Sequence, residues 1–219
     1  SREVKMQTKK RIILGSASPR RRELLEQIGI SFEVRVSDKE EVYHSLIPEE
    51  IVKELALSKA ENVADDLREK QEQVKQISFD KKNNVLLDTI VIGADTIVVS
   101  DGSILGKPKD EADAVRMIRS LQGRSHKVYT GVAILDYDDE GKRKSVVHAV
   151  ETEVFVNPMS DEEIREYAAT GEPLDKAGAY GIQGQFAAYI ERIDGDYYNV
   201  VGLPVSYVYR QLKEIAEKD

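Results

Sequence analysis

A hydroxyl-rich loop leads directly into a run of basic residues near the start of the chain. Residues 16–22 read SASPRRR, in which Ser18 is placed to cap a helix and Pro19 to open it. The free backbone N–H groups of a helix N-terminus attract anions, and Arg20 and Arg21 add guanidinium donors that suit phosphate. Spacing alone leaves open that these arginines point into solvent. A basic first turn opposes the helix dipole, however, and an anionic partner would resolve that conflict.

Carboxylates at two places could bind a metal ion or transfer a proton. Asp95 belongs to the segment GADT, residues 93–96, in which residues 93–95 predict a tight turn between two strands. A carboxylate there can hold Mg²⁺ or take a proton from water, although an Asp in a turn often only bonds nearby backbone N–H groups. Glu40 and Glu41 follow a predicted strand. They could supply a further metal-binding carboxylate, or they could form an exposed acidic loop.

Two lysines and a glycine-rich segment could also contact a ligand. Lys107 lies on the constrained turn GKP, and Lys59 lies beside the apolar stripe of a predicted helix rather than opposite it. That position favours a cleft for Lys59, although most lysines simply lie on the surface. Residues 175–184 read DKAGAYGIQG, so a ligand could approach the backbone closely and Gln183 could bond the edge of a base. A glycine-rich β-bulge explains the same residues equally well.

The composition excludes several classes of protein. The 219 residues carry 40 Asp and Glu against 32 Lys and Arg, and the resulting net charge of −8 argues against a general nucleic-acid coat. No apolar run approaches the roughly 18 residues that a membrane helix needs. The absence of Cys removes disulfides, thiolate zinc sites and a cysteine nucleophile. The N-terminal residues do not read as a secretory signal, so a cytoplasmic location is expected.

Common metal and nucleotide motifs are absent as well. His44, His126 and His148 are far apart and lack metal-ligand spacing. The sequence has no GxxxxGK[ST] element and no GxGxxG after the first predicted strand, which argues against a P-loop or dinucleotide-binding enzyme.

Strands alternate with helices in the first part of the chain and give way to a hairpin-rich middle. This order predicts an α/β protein with a mixed, twisted sheet flanked by helices and a cleft between two lobes. Strands are predicted at residues 11–15, 32–36, 85–92, 96–100, 127–137, 145–157 and 178–193. Helices are predicted at residues 19–28, 48–68, 111–121, 161–169 and from 204 onward. Asp110 is expected to cap the third helix, and Ser160 with Glu163 to form a capping box on the fourth. Residues 65–84, mostly charged or amide, predict a helix extension that runs into a mobile loop.

Five motifs occur in order between residues 16 and 204. They read SASPRRRELL, GADTIV, LGKP, DKAGAYGIQG and YYNVVGLP. In this combination the chain resembles the Maf family of nucleoside triphosphate pyrophosphatases over nearly its whole length. The resemblance implies an α/β fold similar to that of inosine triphosphatases, in one domain over residues 1–219. It also implies hydrolysis of a nucleoside triphosphate to the monophosphate and pyrophosphate, with a divalent cation (Mg²⁺ or Mn²⁺) and often as a homodimer.

The resemblance also assigns roles to particular residues. It implies Asp95 as the general base and a metal ligand, and Glu41 as a second metal-site carboxylate, with a one-residue shift to Glu40 left open. It places the phosphates among hydroxyl and cationic side chains, namely Ser16, Arg20, Arg21, Lys59 and Lys107. It places the nucleobase near Arg20, Thr96 and Gln183.

The form GIQG, rather than a Ser-Glu version of that segment, resembles the subgroup acting on dTTP and UTP, including modified pyrimidine nucleotides. Such an activity would serve to clean the nucleotide pool. Two alternatives remain open, a pyrophosphatase that prefers 7-methyl-GTP or another modified purine, and a nucleotide-binding regulator without turnover. A stable nucleic-acid partner is disfavoured, because the acidic surroundings would repel a long polyanion.

Overall fold

A mixed sheet forms the centre of the protein, for which a computed structural model describes residues 8–77 and 87–218, with the backbone alone at 74–77. Its strands are β1 (Arg11–Leu14), β2 (Glu33–Val34), β3 (Thr89–Ser100), β4 (Ser103–Leu105), β5 (Ser125–Tyr137), β6 (Arg143–Val156) and β7 (Ile190–Asp194). Their order is β2–β1–β3–β5–β6–β7, with β4 paired to β3. β1 runs parallel to β2 and β3, and the other pairs are antiparallel. The predicted mixed sheet is confirmed.

Helices cover both faces of this sheet. They are α1 (Pro19–Gln27), α2 (Pro48–Ile77), α3 (Glu111–Leu121), α4 (Asp161–Ala169), α5 (Tyr197–Val201) and α6 (Val205–Glu217). On one face, Ala56 and Ala60 of α2 share a buried cluster with Val91 of β3. On the other, α1, α3, α4 and α6 bury side chains such as Leu24 and Ile118 in the larger core cluster. Within residues 8–77 and 87–218, no helix combines the length and apolarity needed to cross a membrane.

Local signals at three helix starts are confirmed. Ser18 and Asp110 each accept a hydrogen bond from the backbone N–H three residues on, at the starts of α1 and α3. Ser160 and Glu163 form the reciprocal capping box at the start of α4. Each of these signals involves residues only three positions apart, which is why the sequence alone predicts them.

The turn predicted at residues 93–95 is wrong, because β3 continues through it without interruption. The glycine there serves a different purpose. A Cβ on Gly93 would lie 2.3 Å from the carbonyl oxygen of Ala56 in α2. A Cβ on Gly131 of β5 would lie 2.2 Å from the carbonyl oxygen of Val52 in the same helix. The two glycines therefore let the backbone of α2 approach the sheet closely.

Three other predicted elements differ in length. α2 continues to Ile77 and so reaches beyond residue 68, which confirms the helix extension predicted at the start of residues 65–84. Residues 78–86, which include the rest of that predicted loop, lie outside the described residues. β2 has only two residues, and β3 begins at Thr89. α5 was not predicted at all.

The strand predicted at residues 178–193 is confined to β7. Before it, the chain forms 3₁₀ turns at Ala177–Ala179 and Gln185–Tyr189. The reason is that Gly178 and Ala179 adopt left-handed backbone conformations, with φ of 74° and 67°. These values lie far from the extended backbone of a regular strand, so no regular strand begins at residue 178.

One edge of β3 is open between two partner strands. β1 pairs with β3 only as far as Ile92, and β4 pairs with it only from Val98 onward. Residues 93–97 therefore face a gap on that edge, while β5 pairs with their other edge. Because β1 ends at this gap, the loop that follows it opens onto the same place. Asp95 and Thr96 lie within the gap.

His126 of β5 is buried, and its ring makes one hydrogen bond. Its Nε2 lies 2.6 Å from the hydroxyl of Tyr180, while its Nδ1 has no hydrogen-bond partner among the described residues. Burial lowers the pKa of His126 to about 4. The ring is therefore neutral in the folded protein at pH 7.

This burial makes the stability depend on pH. Between pH 6.5 and 4 the unfolded chain protonates His126 while the folded protein does not, so stability is full above about pH 6.5 and falls as the pH drops toward 4. We expect this residue to lower the free energy of unfolding by about 3 kcal/mol as the pH falls toward 4. His126→Phe should remove this contribution from the pH dependence of urea unfolding. His44→Phe, at an exposed histidine, serves as the control. Equal pH slopes for wild type and His126→Phe would contradict this expectation.

Candidate active site

A cavity of about 380 Å³ lies at the gap in the sheet. The loop after β1, the start of α1, α2, β3 and the segment before β7 all contribute to its walls. Eight of the nine sequence-predicted site residues line it, namely Ser16, Arg20, Arg21, Lys59, Asp95, Thr96, Lys107 and Gln183. Glu41, the ninth, contacts one of the lining lysines. The fold thus brings together residues that are up to 167 positions apart in the sequence, from Ser16 to Gln183.

Two carboxylates flank the ammonium group of Lys59. Its Nζ lies 2.6 Å from Oε1 of Glu41 and 3.8 Å from Oδ1 of Asp95. Lys59 projects from α2, Asp95 faces that helix from β3, and Glu41 comes from the loop between β2 and α2. The carbonyl oxygen of Glu40 accepts a hydrogen bond from Asn62. Of Glu40 and Glu41, it is Glu41 whose carboxylate contacts a residue of the cavity lining, Lys59.

Arg21 joins three parts of the chain at the cavity wall. Its Nε donates to the carbonyl oxygen of Gly202, just after α5, at 2.8 Å. Its Nη1 donates to Oγ of Ser16 at 3.1 Å, and its Nη2 donates to Oγ1 of Thr96 at 2.9 Å. Since a guanidinium carries five N–H groups, at least three of them act within the protein. Arg21 thus fixes the architecture of the site as well as its charge.

Burial and nearby charges act in opposite directions on Asp95. Burial raises the pKa of its carboxyl group above the ordinary value. The positive charges of Arg21 and Lys59 oppose that rise, while the negative charge of Glu41 adds to it. Burial also lowers the pKa of Arg21, which the Asp95 carboxylate opposes. The ionised form of Asp95 therefore depends on its cationic neighbours.

We expect Lys59→Met to move the acid limb of the kcat/KM profile to higher pH. The substitution removes a positive charge that lowers the pKa of Asp95, so burial raises that pKa further and ionisation requires a higher pH. A pH profile of pyrophosphate release measures the shift. Lys53→Met, on the same helix and paired with exposed Glu50, is the control and should leave the limb in place. An unmoved limb in Lys59→Met would contradict the coupling.

Apolar side chains make up another part of the lining. They include Val98, Val128, Ile182, Val200 and Val201, together with the ring of Tyr180. Val98 and Val128 are direct partners across β3 and β5. Gln183 is exposed beside Ile182, and the Arg20 guanidinium lies 3.8 Å from the carboxylate of Asp175. The cavity thus offers both a charged wall and an apolar wall.

Thr130 and Asn199, which lie behind the cavity, are not among the site residues predicted from the sequence. Thr130 Oγ1 lies 2.8 Å from Oγ1 of Thr96 and donates to the carbonyl oxygen of Asn199 at 3.0 Å. Asn199 falls within the motif YYNVVGLP, which was the available signal. In the sequence, Thr130 is recognisable only as a hydroxyl residue beside the apolar run of β5. Its contact with Thr96 depends on the register of the two strands.

Comparisons with known proteins relate this chain to one family. The model of the Maf-like protein family matches residues 11–215. A dTTP/UTP pyrophosphatase of Agathobacter rectalis is 46% identical over 204 residues, covering 93% of this chain and 97% of the relative. A dTTP/UTP pyrophosphatase of Bacillus cereus (strain ATCC 10987) is 48% identical over 208 residues, covering 94% and 90%.

One solved structure gives a weaker likeness. It is a nucleoside-triphosphatase / dITP/XTP pyrophosphatase from Mycobacterium abscessus, with a TM-score of 0.34 and 15% identity over 68% of this chain and 75% of that chain. The family match covers nearly all of the present chain, and the relatives are similar over almost their full length. The chain therefore belongs to the Maf-like protein family.

Proposed function

We propose that this protein hydrolyses dTTP, UTP and modified pyrimidine nucleoside triphosphates to the monophosphate and pyrophosphate. The observation that carries the proposal is the position of Asp95, 3.8 Å from Lys59, in a cavity that Arg20, Arg21 and Lys107 also line. Lys176 and Asp175 also line the cavity, which makes five cationic side chains against two carboxylates. This excess of positive charge suits a single triphosphate, and Asp95 provides an acceptor for a proton. The names of the similar proteins, dTTP/UTP pyrophosphatase, support the substrate.

In the proposed reaction Asp95 accepts a proton from a water molecule whose oxygen attacks the α-phosphorus. A new bond forms between that oxygen and phosphorus, while the bond from phosphorus to the oxygen bridging the β-phosphorus breaks. The bridging oxygen leaves with pyrophosphate. Lys59 and Lys107 neutralise the charge of the leaving group, and Arg20, Arg21 and Ser16 hold the phosphates so that attack and departure are in line.

A divalent cation, Mg²⁺ or Mn²⁺, fits the same carboxylates. Mg²⁺ commonly binds one or two carboxylates together with substrate phosphate oxygens and water. Asp95 and Glu41 would supply the carboxylates, since both approach the single positive charge of Lys59. No group of three or more His, Asp or Glu residues that could hold a metal is found in residues 8–77 and 87–218. When bound, such an ion would polarise the phosphoryl oxygens.

The nucleoside would lie along the apolar wall of the cavity. In this proposal the pyrimidine contacts Val98 and Val128, which line the cavity although each residue is almost fully buried. Gln183 can both donate to and accept from the edge of a base. In this proposal Arg20 and Thr96 lie where the charged wall of the cavity meets the apolar wall.

We also propose that the protein acts in the cytoplasm as a homodimer. Val42, Tyr43, Leu46 and Ile47 are exposed in the loop before α2, and a second copy would cover them. The absence of Cys suits a reducing compartment. Light scattering should give twice the mass of the chain, and a monomer at micromolar concentration would contradict the dimer.

A panel of nucleotides tests the proposed activity. The protein is incubated with UTP, dTTP, GTP, 7-methyl-GTP and ATP in the presence of Mg²⁺ or Mn²⁺, and pyrophosphate and single phosphate are measured separately. We expect pyrophosphate, with the highest kcat/KM for dTTP and UTP. Release of single phosphate, or a preference for the purine nucleotides, would overturn the proposal.

A further inference from the structure

A relay of three polar groups runs from the cavity into the core. Thr96 of β3 lines the cavity, and its Oγ1 lies 2.8 Å from Oγ1 of Thr130 on the neighbouring strand β5. Thr130 is completely buried. Its Oγ1 lies 3.0 Å from the backbone carbonyl oxygen of Asn199 in α5. The relay thus links a residue at the ligand cavity to a buried residue that no ligand can touch.

The chemistry of the three groups fixes the direction of every proton in the relay. A hydroxyl has one proton and two lone pairs, whereas a carbonyl oxygen only accepts. Thr130 therefore gives its proton to Asn199, and the proton between the two hydroxyls must come from Thr96.

The hydroxyl of Thr96 also accepts a hydrogen bond within the protein. Its Oγ1 accepts a hydrogen bond from Nη2 of Arg21 at 2.9 Å. The proton and one lone pair of Thr96 are thus used within the protein. One lone pair is left for a ligand, so Thr96 can accept a hydrogen bond from the nucleotide but cannot donate one.

The position of Thr96 places this acceptor next to the apolar wall. Alternate residues of a strand share a face, so Thr96 and Val98 point the same way, while Asp95 faces α2. Val98 pairs with Val128 directly beside the Thr96–Thr130 pair. A pyrimidine that packs on the two valines therefore has its edge near the Thr96 oxygen.

We infer that Thr130 is a positioning residue that selects for a pyrimidine bearing a ring N–H. By accepting the Thr96 proton, it leaves Thr96 as an acceptor that matches the imide N–H of uracil and thymine. Cytosine carries an unprotonated nitrogen at that ring position and meets this acceptor with a lone pair. The inference rests on the proposed function, since it explains which feature of the base the same site reads.

Thr130→Val and Thr130→Ser test the inference directly. Valine keeps the shape but cannot accept the Thr96 proton, so that proton becomes free to turn toward the ligand. We expect the ratio of kcat/KM for UTP over CTP to fall about tenfold in Thr130→Val, through a gain in CTP turnover. Thr130→Ser keeps the hydroxyl and should retain the wild-type ratio.

Thr152→Val is the matched control. Thr152 is also a fully buried threonine, and it contacts Asn199 through the side-chain amide at 2.8 Å without contacting the Thr96 hydroxyl. We expect it to lower the thermal stability and to leave the UTP over CTP ratio unchanged. An unchanged ratio in folded Thr130→Val, or an equal fall in Thr152→Val, would overturn the role of Thr130.

Binding measurements separate this inference from the proposed hydrolysis. Calorimetry with the α,β-imido analogues of UTP and CTP reports recognition without turnover. Wild-type protein that releases no pyrophosphate would contradict the proposed function alone. The tenfold change in relative affinity between wild type and Thr130→Val would still support the relay, and equal relative affinities would overturn it.

Discussion

Replacing Asp95 by Asn is expected to lower kcat for UTP hydrolysis by about 10²–10⁴-fold, the usual contribution of a positioned general base. The amide has nearly the same shape as the carboxylate but cannot take a proton from water at neutral pH. The substitution also removes the negative charge that Arg21 and Lys59 face in the cavity. The measurement is pyrophosphate release under saturating UTP, with circular dichroism to verify the fold.

Asp136→Asn provides a matched control for this substitution. Asp136 of β5 also pairs with a lysine, Lys10 at 2.6 Å, and its side chain is 22% exposed against 20% for Asp95. Losing that ion pair should leave kcat near the wild-type value, because Asp136 does not face the cavity. Comparable losses in both variants would mean that Asp95 acts through stability and not through chemistry.

Gly93→Ala is expected to destabilise the protein by about 3 kcal/mol or more, at the upper end of what overpacking costs. The added methyl group would lie 2.3 Å from the carbonyl oxygen of Ala56 and 2.8 Å from the backbone nitrogen of Ala60. Backbone atoms of a helix cannot rotate aside as a side chain can, so α2 must move away from the sheet. Thermal unfolding should show a Tm lower by roughly 6–12 °C.

The same displacement should reduce activity, because Lys59 lies on the part of α2 that Gly93 contacts. Gly106→Ala is the control, since a Cβ at Gly106 meets no atom within 4 Å and its φ is not in the left-handed region. We expect its Tm to stay within a few degrees of the wild-type value. A Gly93→Ala protein as stable as Gly106→Ala would mean that α2 does not pack as described.

The role of Gly93 also shows what sequence patterns alone leave unpredicted in this fold. GADT is rich in small residues, which predicts a turn, yet the same residues suit a strand that a helix approaches closely. The choice depends on Ala56 and Ala60 of α2, which lie more than 30 residues earlier in the sequence. Capping signals such as Ser160 with Glu163 were predicted correctly because each involves residues only three positions apart.

Part of the candidate site could likewise be predicted from the sequence, and part could not. Motif residues such as Asp95 and Lys107 were predicted, and the fold brings them to one cavity. The double role of Arg21 was not predictable, because its bonds to Thr96 and Gly202 join segments that meet only in the folded chain. Thr130 was missed for the same reason, since only the register of β3 and β5 places it against Thr96.

Hydrolysis of UTP in water enriched in ¹⁸O tests the central claim most directly. If water activated by Asp95 attacks the α-phosphorus, the label must appear in the nucleoside monophosphate and not in pyrophosphate. Mass spectrometry of the two products distinguishes these outcomes after one turnover. Label in UMP with unlabelled pyrophosphate is the result we predict. Label in pyrophosphate, or release of labelled single phosphate, would contradict the account.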